Sequence, residues 1–136
     1  MKICIIVSNF YPKISNMLIN GALKKLKKNK IKNPKIIKVP GTYEIPILLS
    51  AFAKKYVGFI VLGCIIKGET PHFNFISKTT IEAIMKLSIE SKKPIGNGIL
   101  TCINMDQANE RSEHGGLKRK GREAAKATLS VLGFKT

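Results

Sequence analysis

The chain has little negative charge. Eight Asp+Glu stand against 24 Lys+Arg, a formal charge of +16 over 136 residues. Arginine is scarce too: Arg111, Arg119 and Arg122 are the only three, and every other basic residue is lysine. Sequence-reading nucleic-acid binders lean on the Arg fork, which pairs bidentately with guanine and phosphate. A lysine surplus therefore reads first as a solvated surface and second as a call for an anionic partner or substrate. No apolar run approaches the ~20 residues a membrane-spanning helix needs. The apolar stretch at 3–7 is too short for the core of a signal peptide. Cysteine is sparse and scattered: Cys4, Cys64 and Cys102 show no CxxC spacing, and only His72 and His114 could join them. That pattern carries no zinc signature and leaves buried free thiols. These absences point to a cytoplasmic protein with no metal, no membrane span and no nucleic-acid partner. The 44% of apolar residues excludes a disordered basic tail and suits one domain over 1–136.

What is present alternates. Residues 2–7, 35–39, 59–66 and 94–100 are short apolar runs that read as strands, the third apolar throughout and so buried on both faces. Between and after them come amphipathic stretches. Residues 14–29 place apolar side chains at helical spacing, with Lys24, Lys25, Lys27 and Lys28 on the outer face. The segment 8–15, with Pro12, reads as a loop. Further helices are expected at 45–56, with Pro46 in its first turn, at 73–91, at 105–111 and at 119–132. Strands that alternate with helices imply a parallel sheet with helices on both faces. The expected fold is a three-layer α/β/α sandwich with a four-stranded, flavodoxin-like parallel sheet.

Such sheets bind ligands beyond the carboxyl ends of their strands, which singles out four loops. The first holds Phe10 and Tyr11, aromatics free either to stack on a planar ligand or to cap the core. The second is Pro40-Gly41-Thr42-Tyr43-Glu44-Ile45-Pro46, where Glu44 is the first carboxylate after ten lysines. It sits at a helix start, where the dipole favours it, and it could equally accept from ligand hydroxyls. The third is Gly63-Cys64-Ile65-Ile66-Lys67-Gly68-Glu69-Thr70-Pro71-His72-Phe73. Thr70 suits an N-cap whose free amides could hold phosphate, and His72 is the residue type that most often moves protons near neutral pH. The fourth region, 97–120, carries Arg111, suited to fixed pairing with phosphate.

Taken together, these loops resemble lumazine synthases, which catalyse the penultimate step of riboflavin biosynthesis. The resemblance rests on the second and third loops just quoted. It rests also on Gly98-Ile99-Leu100-Thr101, followed by Asp106-Gln107-Ala108 and Glu110-Arg111. It covers nearly the whole chain, and the Gly-Glu-Thr-Pro-His-Phe run is its most specific part. It implies a transferase that condenses 5-amino-6-(D-ribitylamino)uracil with 3,4-dihydroxy-2-butanone 4-phosphate, without cofactor or metal. Phe10 would stack on the pyrimidine, and Cys64, Ile65 and Ile66 would contact it largely through backbone. Thr42, Tyr43 and Glu44 would hold the ribityl chain and uracil. Glu69 and Thr70 would cradle the phosphate, joined by Arg111 of a neighbouring subunit. His72 would shuttle protons, and Asn97 of the neighbour would close over the ring.

The resemblance has departures. Asn97 stands where several members carry an aromatic, and Lys67 where Arg is common. Residues 111–121 lack the Gly-Thr-Lys-Ala-Gly-Asn-Lys-Gly pattern of shell-forming members and run one residue longer. Members form pentamers, and some stack twelve of these into a 60-mer shell. The altered segment and the start so near the first strand favour a homopentamer. Two other readings stay open: a basic nucleic-acid-binding module on a flavodoxin-like fold, and a lumazine-binding scaffold without catalysis.

Overall fold

A computed structural model describes residues 2–68, 72–112 and 119–136, without the side chains at 109, 111 and 112. Four strands, β1 (Ile3–Ser8), β2 (Lys35–Val39), β3 (Gly58–Ile66) and β4 (Ile95–Cys102), form one sheet. Its order is β2-β1-β3-β4, and every pairing is parallel. Among the described residues there are five helices: α1 (Pro12–Lys28), α2 (Ile45–Phe52), α3 (His72–Ser91), α4 (Met105–Ser112) and α5 (Lys120–Val131). A 3₁₀ turn, Thr42–Glu44, leads into α2.

The strands sit where the apolar runs put them. β1 is buried over its full length and β3 over all but its last residue, as expected of inner strands covered on both sides. Ile3, Ile5, Ile60 and Leu62 turn to one face and pack on α1 and α5, with Ala108 of α4 beside them. Cys4, Ile6, Phe59 and Val61 turn to the other face and pack on α2 and α3. This is the expected three-layer sandwich, and 2-1-3-4 is the flavodoxin-like strand order without a fifth strand.

Three boundaries differ from expectation by two residues or more. Helix α1 begins at Pro12, inside the expected loop, because proline's fixed φ and missing N–H suit a first turn. Helix α2 stops at Phe52, and 53–55 form a turn. Strand β4 runs on to Cys102, two residues past the expected end, in register with Ile66 of β3. One side chain also departs from its expected place. Lys25, read as part of a solvated face, is buried where α1 lies against α5.

Candidate active site

At the carboxyl ends of β1 and β3 lies a cleft of about 240 Å³. This is the point in the sheet where strand order reverses, and such a reversal opens a crevice between the loops that leave in opposite directions. Three of the four selected loops meet there. Ser8, Phe10 and Tyr11 arrive from β1, and Gly41, Thr42 and Tyr43 from β2. Cys64, Ile65 and Ile66 form the end of β3, and His72 and Ile76 come from the first turns of α3.

Glycine at 63 permits this convergence. A Cβ there would lie 2.8 Å from the Thr42 methyl and 3.0 Å from the Ser8 Cβ, closer than packed carbons approach. Without it, the ends of β1, β3 and the 3₁₀ turn close into one floor. Gly68 is different: a Cβ there would meet open space.

Two aromatic rings stand at the mouth. Phe10 is 67% exposed and meets Tyr11 edge to face, centroids 4.9 Å apart. The exposed ring is available to a flat ligand, whereas Tyr11 is half-buried against the core. Burial raises the Tyr11 pKa, with Cys64 adding to the rise, so its hydroxyl stays a neutral donor at physiological pH. Tyr43 is 64% exposed and Thr42 is buried beside it. The Ser8 hydroxyl is buried at the cleft with no hydrogen-bond partner among the described residues. A buried hydroxyl is costly to leave unpaired, so this one suits a polar group on a ligand.

Glu44 does not line the cleft, but Gly41, which does, has the Glu44 carboxylate folded over it. A Cβ on Gly41 would be 3.1 Å from Glu44 Oε1. Glu44 is the N-cap residue of α2, at the helix start where the dipole favours a negative charge, although its carboxylate makes no capping hydrogen bond. Ile65 and Ile66 turn their side chains to opposite faces of the sheet, which leaves their backbone as the surface offered to a ligand.

Cys64 borders the cleft as a thiol. Burial, reinforced by neighbouring Cys102, pushes its pKa up to about 12, and burial raises Cys4 to about 11. All three cysteines are free and buried, as expected, and a neutral thiol is no nucleophile. His72, by contrast, is the first residue of α3, exposed and facing the cleft. Among the described residues no cluster of His, Cys, Asp or Glu could hold a metal, and no helix is long and apolar enough to cross a membrane.

The remaining predicted residues stand elsewhere. Glu69 and Thr70 lie outside the described residues. Arg111 belongs to α4, but its side chain also lies outside them. Asn97 is exposed on the edge strand β4, level with Val61, with its Oδ1 accepting from the Ile99 N–H at 3.0 Å. It is five residues short of the Ile66–Cys102 pair at the rim, about 16 Å along the strand. One copy of the chain therefore does not bring Asn97 to its own cleft. Sequence reasoning missed Ser8 and Ile76 as lining residues and left Tyr11 undecided. Ser8 closes an apolar strand, the one signal that could have marked it.

Chemically, the cleft offers an exposed ring and a strand-end backbone for a flat heterocycle. It adds the hydroxyls of Thr42 and Tyr43, with the Glu44 carboxylate beside Gly41 just outside the lining, and one imidazole for proton transfer. Comparison with known proteins matches this description. The model of the family described as 6,7-dimethyl-8-ribityllumazine synthase matches residues 1–135. A protein of that name from Blochmanniella pennsylvanica is 44% identical, aligned over 96% of this chain and 85% of its own. One from Bartonella tribocorum is 40% identical over 98% and 89%. From Caulobacter vibrioides, 6,7-dimethyl-8-ribityllumazine synthase 1 is 39% identical over 96% and 88%.

Proposed function

This chain belongs to the 6,7-dimethyl-8-ribityllumazine synthase family. From that premise we propose that it condenses 5-amino-6-(D-ribitylamino)uracil with 3,4-dihydroxy-2-butanone 4-phosphate, releasing phosphate and water. The carrying observation is the cleft at the strand reversal, where Phe10, Thr42, Tyr43 and His72 converge on the backbone of 64–66.

The pyrimidine stacks on Phe10 and lies along the β3 end, its polar edge meeting backbone and the Ser8 hydroxyl. The ribityl chain runs toward Thr42, Tyr43 and Glu44. The free amine attacks the ketone, and water leaves as an imine forms. Phosphate is then eliminated, and the ribityl-bearing nitrogen attacks the remaining carbonyl and closes the second ring with loss of a second water. Each step moves a proton, and none needs a covalent bond to the protein. Orientation and one acid/base group suffice, and His72 is that group. Glu69 and Thr70 receive the phosphate at the start of α3, with Arg111 of a neighbouring copy. Asn97, remote from its own cleft, completes the neighbour's.

That arrangement requires assembly, and the outer face of α2 and α3 supports it. Ile47 of α2 and Phe75 of α3 are each 68% exposed, Ile47 lines a shallow groove of about 400 Å³ between the two helices, and Ile89, also 68% exposed, lies at the far end of α3 beside Val131 of α5. A single chain with this much uncovered apolar surface is suited to packing against copies of itself, and the reading is a homopentamer in preference to a 60-mer shell. Three reduced thiols go with a reducing, cytoplasmic setting. Mixing the two substrates with the protein and following lumazine absorbance and fluorescence tests the activity. No product at micromolar enzyme would defeat it. Solution mass tests the assembly, and a particle near a megadalton would defeat the pentamer.

A further inference from the structure

A second groove, of about 280 Å³, runs between α1 and α5, and it shares no lining residue with the strand-end cleft. Glycine builds it. A Cβ on Gly121 would run into the carbonyl oxygen of Leu18, and one on Gly21 would lie 3.3 Å from the Arg122 nitrogen. With neither Cβ present, the two helix backbones approach closely. That approach sets Lys24, Lys25 and Lys28 of α1 against Arg119 and Arg122 at the start of α5.

No carboxylate among the described residues lines the groove. Among the described residues, Lys25, Lys28 and Arg122 form no ion pair. Lys25 is only 5% exposed. Its ammonium is held below the usual lysine range, first by burial and then by Lys28, Arg122 and Lys126. Like charges crowded this way repel one another, and a bound anion removes that cost while adding charge-assisted hydrogen bonds. Arg and Lys together suit phosphate oxygens. Among the described residues no aromatic side chain lines the groove, so they offer a nucleic-acid base nothing to stack on.

We propose that the α1–α5 groove binds a condensed phosphate, a short chain of linked phosphate groups gripped by Lys24, Lys25 and Lys28 on one side and Arg119 and Arg122 on the other. This is independent of the proposed reaction, since the groove and the cleft share no residue.

Calorimetric titration of the full, assembled chain with sodium tripolyphosphate tests it. The expected result is about one site per chain, with affinity that weakens as salt rises. In Lys28→Glu/Arg122→Glu the affinity should fall at least ten-fold while lumazine formation is retained. The milder Lys28→Gln/Arg122→Gln pair serves if charge reversal prevents folding, as judged by circular dichroism. Three results would overturn the proposal. One is no binding at millimolar tripolyphosphate. The second is undiminished binding in the folded variants, accompanied by inhibition of lumazine formation, which would place the anion in the cleft. The third is tighter binding of a single-stranded RNA of matched charge.

Discussion

On one face of the sheet, α5 lies so close to β4 and α1 that a Cβ at Gly96 or Gly121 would strike backbone carbonyl oxygens. On the other, α2 and α3 bury Ile45, Leu49 and Ile84 but leave Ile47, Phe75, Met85 and Ile89 in the open. The first layer is closed inside one chain except at Val131 near the end of α5 and Met105 on α4, down to the Thr128 hydroxyl that donates to the Phe59 carbonyl at 2.7 Å. The second is completed only when something covers it. In the proposed assembly the contrast divides labour: the sealed layer packs against the sheet beneath the cleft, and the open layer is the face offered to neighbouring copies.

The contrast is broken most directly at Gly96. Replacing it with Ala sets a methyl against the Ala124 carbonyl of α5, and a backbone atom cannot rotate away. The expected loss is about 3 kcal/mol or more of unfolding free energy, at the upper end for overpacking, read from urea denaturation. Gly68→Ala, into open space, should stay within about 0.5 kcal/mol, as surface changes do. Equal effects from the two changes would show that the sealed layer is not sealed.

The open layer is probed next with Ile47→Lys/Ile89→Lys. Both side chains are exposed in the single chain, so its own folding should be little changed. The assembly should dissociate, seen as a fall in sedimentation mass. Turnover should drop more than a hundred-fold, since displacing reacting groups by about 1 Å already costs that much. A dissociated variant with full turnover would show that one chain's cleft is complete, with no need of a neighbour's Arg111 or Asn97.

Much of this architecture was legible in the sequence. Four apolar runs became four strands, unbroken in β1 and β3, which are buried on both faces, and interrupted by exposed residues in the edge strands β2 and β4. The strand-end rule selected the cleft loops before any geometry existed. What could not be read was contact between elements distant in sequence. Periodicity places Lys24, Lys25 and Lys28 on one side of α1 but cannot show that α5 covers that side, so Lys25 was taken for a solvated residue. Glycines 96 and 121 carry no sign of what faces them. Ser8 looked like the end of a strand, and its unpaired hydroxyl emerges only once Gly63 brings Thr42 beside it. Asn97 was assigned to a neighbour's site by resemblance. The register with Val61 shows why it does not serve its own.

Within the cleft the expected effects are smaller. His72→Ala should lower kcat about a hundred-fold, or about 2.7 kcal/mol, the lower end for a lost acid/base group. Positioning survives that change, so undetectable turnover in a folded variant would contradict a purely proton-transferring role. Phe10→Ala removes only the exposed stacking ring. Substrate KM should rise about ten-fold, which matches about 1.4 kcal/mol for one aromatic stack, with kcat nearly unchanged. A fall in kcat alone would mean the ring acts on the reaction rather than on binding.

The smallest expected effect tests how deep the difference between the layers goes. Cys64 packs in the core under the sealed layer and Cys4 in the core under the open one. Their thiol pKa values are nonetheless pushed up alike, to about 12 and about 11, by burial. At pH 8 the thiolate fraction is then about one in ten thousand for Cys64 and one in a thousand for Cys4, against about a tenth for a thiol at the ordinary value of 9.0. Iodoacetamide at pH 8 should therefore leave both unmodified and lumazine formation unchanged, with mass spectrometry as the check. The sign of the alkaline response follows. A raised folded-state pKa adds stability that is fully present below the ordinary thiol value near 9.0 and is lost as pH climbs toward 11 and 12. Unfolding should thus become easier only on the alkaline side. Rapid alkylation of Cys4 with Cys64 spared would mean that the open layer is loose down to the sheet. Protection of both confines the difference to the outer surface, where a neighbouring copy would cover it.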